Sequence, residues 1–184
     1  MRRRTAGFSI LFKMIFAIVG GFLMISLARA ATYEVESDPV AYILKGFSVH
    51  GTLVLPTSRF DFGAFGLEVP KFVGNNGAFT HNLIGASVNW DYFGSRFTGL
   101  FGGVGIAVTR NQIVHDVGEE EVNQTQFYIG PRIGFRIGGE NGFFISPWVG
   151  VYYVFGRKDV VVGKDRFHVS PIQIFPTIHV GFRF

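Results

Sequence analysis

The last thirteen residues, Ile172 to Phe184, alternate without a break. Ile172, Ile174, Pro176, Ile178, Val180, Phe182 and Phe184 hold the even positions; Gln173, Phe175, Thr177, His179, Gly181 and Arg183 hold the odd ones. Successive side chains of a strand point to opposite faces, so the segment predicts a strand with one apolar face and one mixed face. The same period recurs upstream. In Ile43–Leu55 the odd positions are mostly apolar, opposite Ser48, His50 and Thr52. In Arg59–Val69, Phe60, Phe62 and Ala64 oppose Arg59 and Asp61. In His81–Phe93, Ile84, Ala86, Val88, Trp90 and Tyr92 oppose Gly85, Ser87, Asn89 and Asp91. Leu100, Val104, Ile106 and Val108 oppose a row of small residues. In Gln124–Ile137, Phe127, Ile129, Ile133, Phe135 and Ile137 oppose Gln126, Tyr128, Arg132 and Arg136. In Phe143–Phe155, Ile145, Val149, Val151 and Tyr153 oppose Ser146, Trp148 and Tyr152.

Turn chemistry separates these runs: Pro56-Thr57-Ser58, Gly74-Asn75-Asn76-Gly77, Gly94-Ser95 and Gly138–Gly142. Asn111–Val122, with its acidic residues, reads as an exposed loop, and Arg157–Phe167 as a hairpin projecting past the sheet. The strands exceed the roughly 5–6 residues usual in soluble sheets and suit the roughly 9–11 that cross a bilayer at a tilt. Trp90 and Tyr92 fall at one end of an apolar stripe, where an aromatic belt meets head groups. Seven strands are clear, and a closed antiparallel barrel of the bacterial type has an even number. Ala31–Ser37 is the place for the eighth. Asp38-Pro39 could instead cap a short helix reaching Lys45.

The N-terminus changes the meaning of the charge. Arg2, Arg3 and Arg4 precede an apolar run, and Ala28-Arg29-Ala30 fits a small-x-small cleavage site, so residues 1–30 are expected to be a signal peptide and 31–184 the barrel domain. The whole chain has a formal charge of +4, but five of its 17 basic residues lie in this leader. The remaining 12 face all 13 acidic ones, a balance of −1, which removes the case for nucleic acid. There is no cysteine, so no disulfide framework and no thiol chemistry.

The apolar alternation ending in Phe184 resembles the C-terminal strand of bacterial outer-membrane β-barrel proteins. With the leader and the other strands, the chain resembles the small, eight-stranded members of that group. The resemblance implies an all-β fold, a closed antiparallel transmembrane barrel in the outer membrane. It also implies contact with outer-membrane lipids and lipopolysaccharide, and recognition of Phe184 and the last strand by the barrel assembly machinery. A monomer without cofactor or metal is expected.

Parity sends Ser48, His50, Thr52, Arg59, Asp61, Asn89, Asp91, Gln126, Tyr128, Arg132, Arg136, Trp148, Tyr152, His179 and Arg183 inward. The lumen of an eight-stranded barrel is just wide enough to be filled by side chains. Arg132, Arg136 and Arg183 against Asp61 and Asp91 form a candidate ionic network, because buried charges must be paired. Ser48, His50 and His179 are the candidate catalytic groups, with Asp61 near enough in sequence to orient a histidine. His168-Val169-Ser170 resembles the His-x-Ser pair of lipid A 3-O-deacylases; that family's following Glu has no counterpart here, since no Glu comes after Ser170. Gly102–Gly105 does not complete a dinucleotide fingerprint, and Glu119-Glu120-Glu121 reads as a solvated loop. The expectation is a non-enzymatic envelope or surface-interaction barrel with a filled lumen. A lipid-modifying hydrolase and a narrow pore are the alternatives.

Overall fold

The computed structural model describes residues 32–71, 77–94, 98–117, 120–139 and 141–184; the expected signal peptide lies outside them. Among the described residues, eight strands close a barrel. They are β1 (Thr32–Ser37), β2 (Phe47–Val54), β3 (Ser58–Val69), β4 (Phe79–Tyr92), β5 (Gly99–His115), β6 (Glu121–Gly138), β7 (Gly142–Phe155) and β10 (Ile172–Arg183). Helix α1 (Pro39–Ile43) follows β1, and a two-stranded ribbon, β8 (Val160–Val162) and β9 (Asp165–Phe167), lies between β7 and β10. Neighbours in sequence pair as antiparallel hairpins. β1 closes the seam by pairing with β2 on one side and β10 on the other. Closure leaves no free sheet edge where the pairing is complete.

Every strand sorts its side chains in the same way. Ile84, Trp90, Leu100, Ile106, Ile133 and Ile174 are exposed on the outside, while Arg59, Asp61, Asp91 and Gln126 are sealed inside. This is the reverse of a soluble barrel: charged groups fill the lumen and an apolar band covers the wall, as a bilayer requires. The connections differ at the two ends. At one end are Leu55–Thr57, Phe93–Thr98 and the link around Gly139; at the other are the links after β1, β3, β5 and β7, of which the first carries α1 and the last carries β8 and β9. We call these the turn end and the loop end.

The first expected strand divides in two. Asp38 caps α1, its carboxylate accepting from the Val40 amide at 2.8 Å, and Pro39 opens the helix at a position where no amide is needed. Lys45 then takes a left-handed conformation (φ 57°), and β2 starts at Phe47 instead of Ile43. Gly46 is fixed by packing: a Cβ there would lie 1.8 Å from the Gly66 carbonyl oxygen.

The expected loop over Asn111–Val122 is mostly strand. β5 runs on to His115 and β6 begins at Glu121, with Asn111 opposite Gln124 and Val114 opposite Glu121. Polar residues there imply solvent by composition, but those of inward parity find partners in the lumen: the Asn111 amide donates to Thr109 at 2.7 Å. The Arg157–Phe167 hairpin does form, yet it folds back over the loop end. Val160, Phe167 and the following Val169 pack on Phe79, Ile113 and Val154 in a buried apolar cluster. This cap is a small second core, set above a lumen that is otherwise polar.

Two prolines interrupt the β6–β7 ladder. Its pairs run Phe127–Phe155 to Ile129–Tyr153, resume at Arg132–Gly150 to Gly134–Trp148, and resume again at Ile137–Ile145. The breaks fall at Pro131 and Pro147, which have no N–H to give.

Candidate functional site

The lumen is layered along the barrel axis. Nearest the turn end is a set of ion pairs. Glu34 receives Arg136 in a two-pronged contact (2.6 and 3.1 Å) and Arg183 at 2.6 Å. Arg59 reaches Glu36 at 2.7 Å and Asp91 at 2.8 Å. Arg132 grips Asp91 through two bonds of 2.7 and 2.6 Å and lies 3.8 Å from Asp61. Aromatic faces complete the packing: Arg132 stacks 4.5 Å from the Trp148 ring and Arg136 3.4 Å from Phe144. Charge-assisted, paired geometry of this kind is what allows guanidiniums to sit out of water.

Arg132 thus meets Asp91 and, more distantly, Asp61. Arg136 and Arg183 do not: their partner is Glu34 on β1. Glu34 and Glu36 are the residues that sequence reasoning missed. A signal exists, since Tyr33 and Val35 alternate with them, but β1 is only six residues long, too short for its alternation to define a face unaided.

Above this layer sit the histidines. The His50 Nδ1 donates to Asp61 at 2.7 Å, and the His179 Nδ1 donates to Glu36 at 3.1 Å. Barrel closure brings the two rings to 4.5 Å between centroids. Ser48 is not with them in function: its hydroxyl accepts from the Asp38 amide at 3.2 Å, where it helps seat α1. Ser146 lies opposite His179 across the β7–β10 ladder, and its buried hydroxyl has no partner among the described residues. It is not among the residues that line the internal cavity.

Donor atoms of His50, Asp61 and His179 lie within 4.8 Å of one another, a spacing that a metal ion could use. Around this cluster Glu34, Glu36, Asp61 and Asp91 are engaged by Arg59, Arg132, Arg136 and Arg183, and Asp38 is a further buried carboxylate on the cavity wall.

His168 and Ser170 lie in the irregular segment between β9 and β10, at the loop end, not on the lipid-facing strand. An acid does face His168, but it comes from upstream: Asp159 Oδ1 is 2.8 Å from the ring Nδ1. The Ser170 hydroxyl donates to the Ile172 carbonyl at 2.7 Å, and among the described residues no hydrogen bond joins it to His168. Asp159 also holds Arg166 at 3.0 Å, and Arg166 first, then His168, pull its carboxyl below the ordinary aspartate range. At the same end, Lys71 and then Thr80 lower Asp116.

Between the histidines and the cap lies a cavity of about 110 Å³. Phe65, Leu67, Leu83, Ala107, Trp148 and Phe175 give it apolar walls, and Asn89, Thr109, Tyr128 and Tyr152 add polar points.

A closed strand barrel with an ion-paired lumen and an apolar outer wall defines the class: a small β-barrel of the membrane-spanning type. Among solved structures, the chain is similar to the N-terminal β-barrel domain of OprF from Pseudomonas aeruginosa (16% identity, TM-score 0.45, covering 84% of this chain and 96% of that one). It is also similar to Neisserial surface protein A (15%, TM-score 0.47, 84% and 93%) and to a major outer membrane protein from Thermus thermophilus (13%, TM-score 0.46, 84% and 100%). No family model matches the sequence, and no curated protein does.

Proposed function

We propose that the protein is an integral barrel of the bacterial outer membrane whose role is structural or interactive, exercised by its loop end, and not enzymatic. The observation that carries this is the sorting of side chains: an apolar wall facing out and an ion-paired layer filling the lumen. That layer supports a closed barrel over a pore, because Arg59, Arg132, Arg136 and Arg183 and their acids cross the bore and are all buried. The added elements α1, β8 and β9 all lie at the loop end, which fits a barrel whose turn end faces the periplasm and whose cap faces outward. In this reading the alternating β10 is the strand that assembly machinery would recognise, and the barrel acts as a monomer.

At the loop end, Lys71 with Asp116 and Arg166 with Asp159 make an exposed surface of mixed charge suited to lipopolysaccharide phosphates or to another protein. The engagement of Ser48 with α1 supports the non-enzymatic reading. The test has two arms. In planar bilayers the purified protein gives no steady conductance; open-channel currents overturn the filled-lumen reading. Deletion of the protein, or His50→Ala and His179→Ala, leaves the mass profile of lipid A unchanged; a change restored by the wild type but not by the histidine variants assigns a lipid-modifying activity instead.

A further inference from the structure

The wall is not equally tall all round. β10 pairs with β7 along its whole length, Ile172 to Arg183, but with β1 only from Val180 to Arg183. β1 has six residues and β2 has eight, fewer than the roughly 9–11 that cross a bilayer. Towards the loop end, the side of β10 that faces β2 therefore meets no strand.

Pro176 lies on this stretch, and its orientation is informative. In an antiparallel ladder a residue's N–H and C=O point to one neighbour, and those of the next residue to the other. The Phe184 amide bonds the Tyr33 carbonyl at 3.1 Å, so even-numbered residues of β10 address the β1 side. Pro176 thus keeps its pairing with Val149 while its missing donor faces the gap. Pro131 and Pro147 break a ladder; Pro176 sits where no strand asks for an amide.

Helix α1 stands in the gap. Thr177 of β10 donates to Asp38 at its N-terminus, and the Ser37 hydroxyl donates to the Ser48 carbonyl of β2 at 2.6 Å. Ala41 turns inward and is buried, while Tyr42 and Ile43 turn outward. Behind the helix is the 110 Å³ cavity, with Ala41 and Phe175 at its rim; Phe175 has inward parity yet is 39% exposed. Tyr128 lines the cavity and packs against the cap's cluster, and the ion pairs lie on the turn-end side. Phe175, exposed beside the unpaired stretch of β10, and Ala41 of α1 thus set one side of the cavity at the gap.

We propose that the gap between β10 and β2, with α1 as its sill, is a lateral portal through which the end of a bilayer lipid's acyl chain enters the lumen cavity. The cavity is smaller than the roughly 150 Å³ apolar cavity that takes benzene, so it admits the last few carbons of a chain and excludes a head group. The proposal rests on the membrane reading above, and tryptophan fluorescence separates the two.

The chain has two tryptophans. Trp90 is exposed on the outer wall and Trp148 lines the cavity. The protein is reconstituted in two brominated phosphatidylcholines, one with bromine near the chain ends and one with bromine close to the head group, quenchers that act at contact range. In a Trp148→Phe variant, quenching of Trp90 by the lipid brominated close to its head group reports that the barrel spans the bilayer. In a Trp90→Phe variant, Trp148 loses most of its emission if chain ends enter, and Ala107→Phe, which fills the cavity, restores it. Ser87→Leu serves as a second filling variant where Ala107→Phe does not fold.

Four results overturn the proposal. In the first, Trp148 is untouched while Trp90 is quenched, which leaves the membrane reading standing. In the second, Trp148 is quenched equally in the filled variants, which means the bromines act through the wall. In the third, Trp148 responds to a brominated free fatty acid in plain bilayers but not to brominated phospholipid, which moves the source away from the bilayer lipid. In the fourth, neither tryptophan is quenched, and the membrane reading fails as well.

Discussion

Glu34 is the residue on which most of the lumen's charge depends. One carboxylate serves Arg136 and Arg183, and Arg59 lies 3.5 Å away. Removing one partner of a buried pair leaves a charge with no compensation, which costs about 3–5 kcal/mol. Glu34→Gln keeps the shape and loses the charge. It should destabilise the folded barrel by that amount in urea unfolding, and adding Arg183→Met should recover part of it. At this scale the sequence was legible through parity alone. Asp61, Asp91, Arg132, Arg136, His179 and Arg183 all sit on the inward face of their strands. The pairing was not legible, because it depends on which strands closure brings together, and that is a property of the whole circle. Ser48 shows the same limit: sharing a face with His50 placed it inside, but the fold of Asp38 and α1 decided what its hydroxyl does.

Among the elements, the cap is the one that can move by itself. β8 and β9 pair only with each other, and the cap is held by its apolar cluster and by polar contacts such as His115 to Asp165 at 3.0 Å. Phe167 is buried among Phe79, His81 and Val160. Phe167→Ala removes a core ring, a change of about 3–5 kcal/mol in a packed site. The cap should open to protease at Arg157–Arg166 while the barrel's unfolding midpoint stays close to that of the wild type. Acid should have a similar effect. The Asp159 carboxyl lies below its ordinary value because Arg166 and His168 stabilise the charged form. Its contribution is therefore complete above the unfolded aspartate value, about 3.9, and is lost as pH falls through the lower folded value. Pepsin cleavage of the cap should rise over that acid window and not in Asp159→Asn, which is open throughout. The hairpin was legible from its flanking charges; its folding back was not, since Val160, Phe167 and Val169 mean little until Phe79, Ile113 and Val154 are seen at the same rim.

The whole molecule separates two kinds of electrostatics. The lumen pairs are sealed from solvent, whereas Lys71–Asp116 and Arg166–Asp159 lie in it. Salt screens charges in water over roughly 10 Å at 0.1 M and roughly 3 Å at 1 M, and sealed pairs far less. The barrel's unfolding midpoint should hold steady between those salt levels while protease sensitivity of the cap rises. The barrel itself was the most legible feature, because long alternating runs leave few other folds available. Its uneven height was the least legible. It follows from where β1 stops and α1 begins, and Asp38-Pro39 allowed either a helix or a continuing strand until the packing of Ala41 and Gly46 was seen.

The position of Glu34 and Glu36 on the seam strand has a kinetic meaning. Arg59 lies on β3, Arg136 on β6 and Arg183 on β10, while both glutamates lie on β1, the strand that joins the two ends of the sheet. Until that strand docks on both sides, these three arginines lack the glutamates that neutralise them. A half-closed sheet in hydrocarbon would therefore carry naked charge, and the last pairing step neutralises it. Closure becomes a latch: partly joined forms are unstable in the bilayer, and the ring, once shut, reopens only by separating several buried ion pairs together.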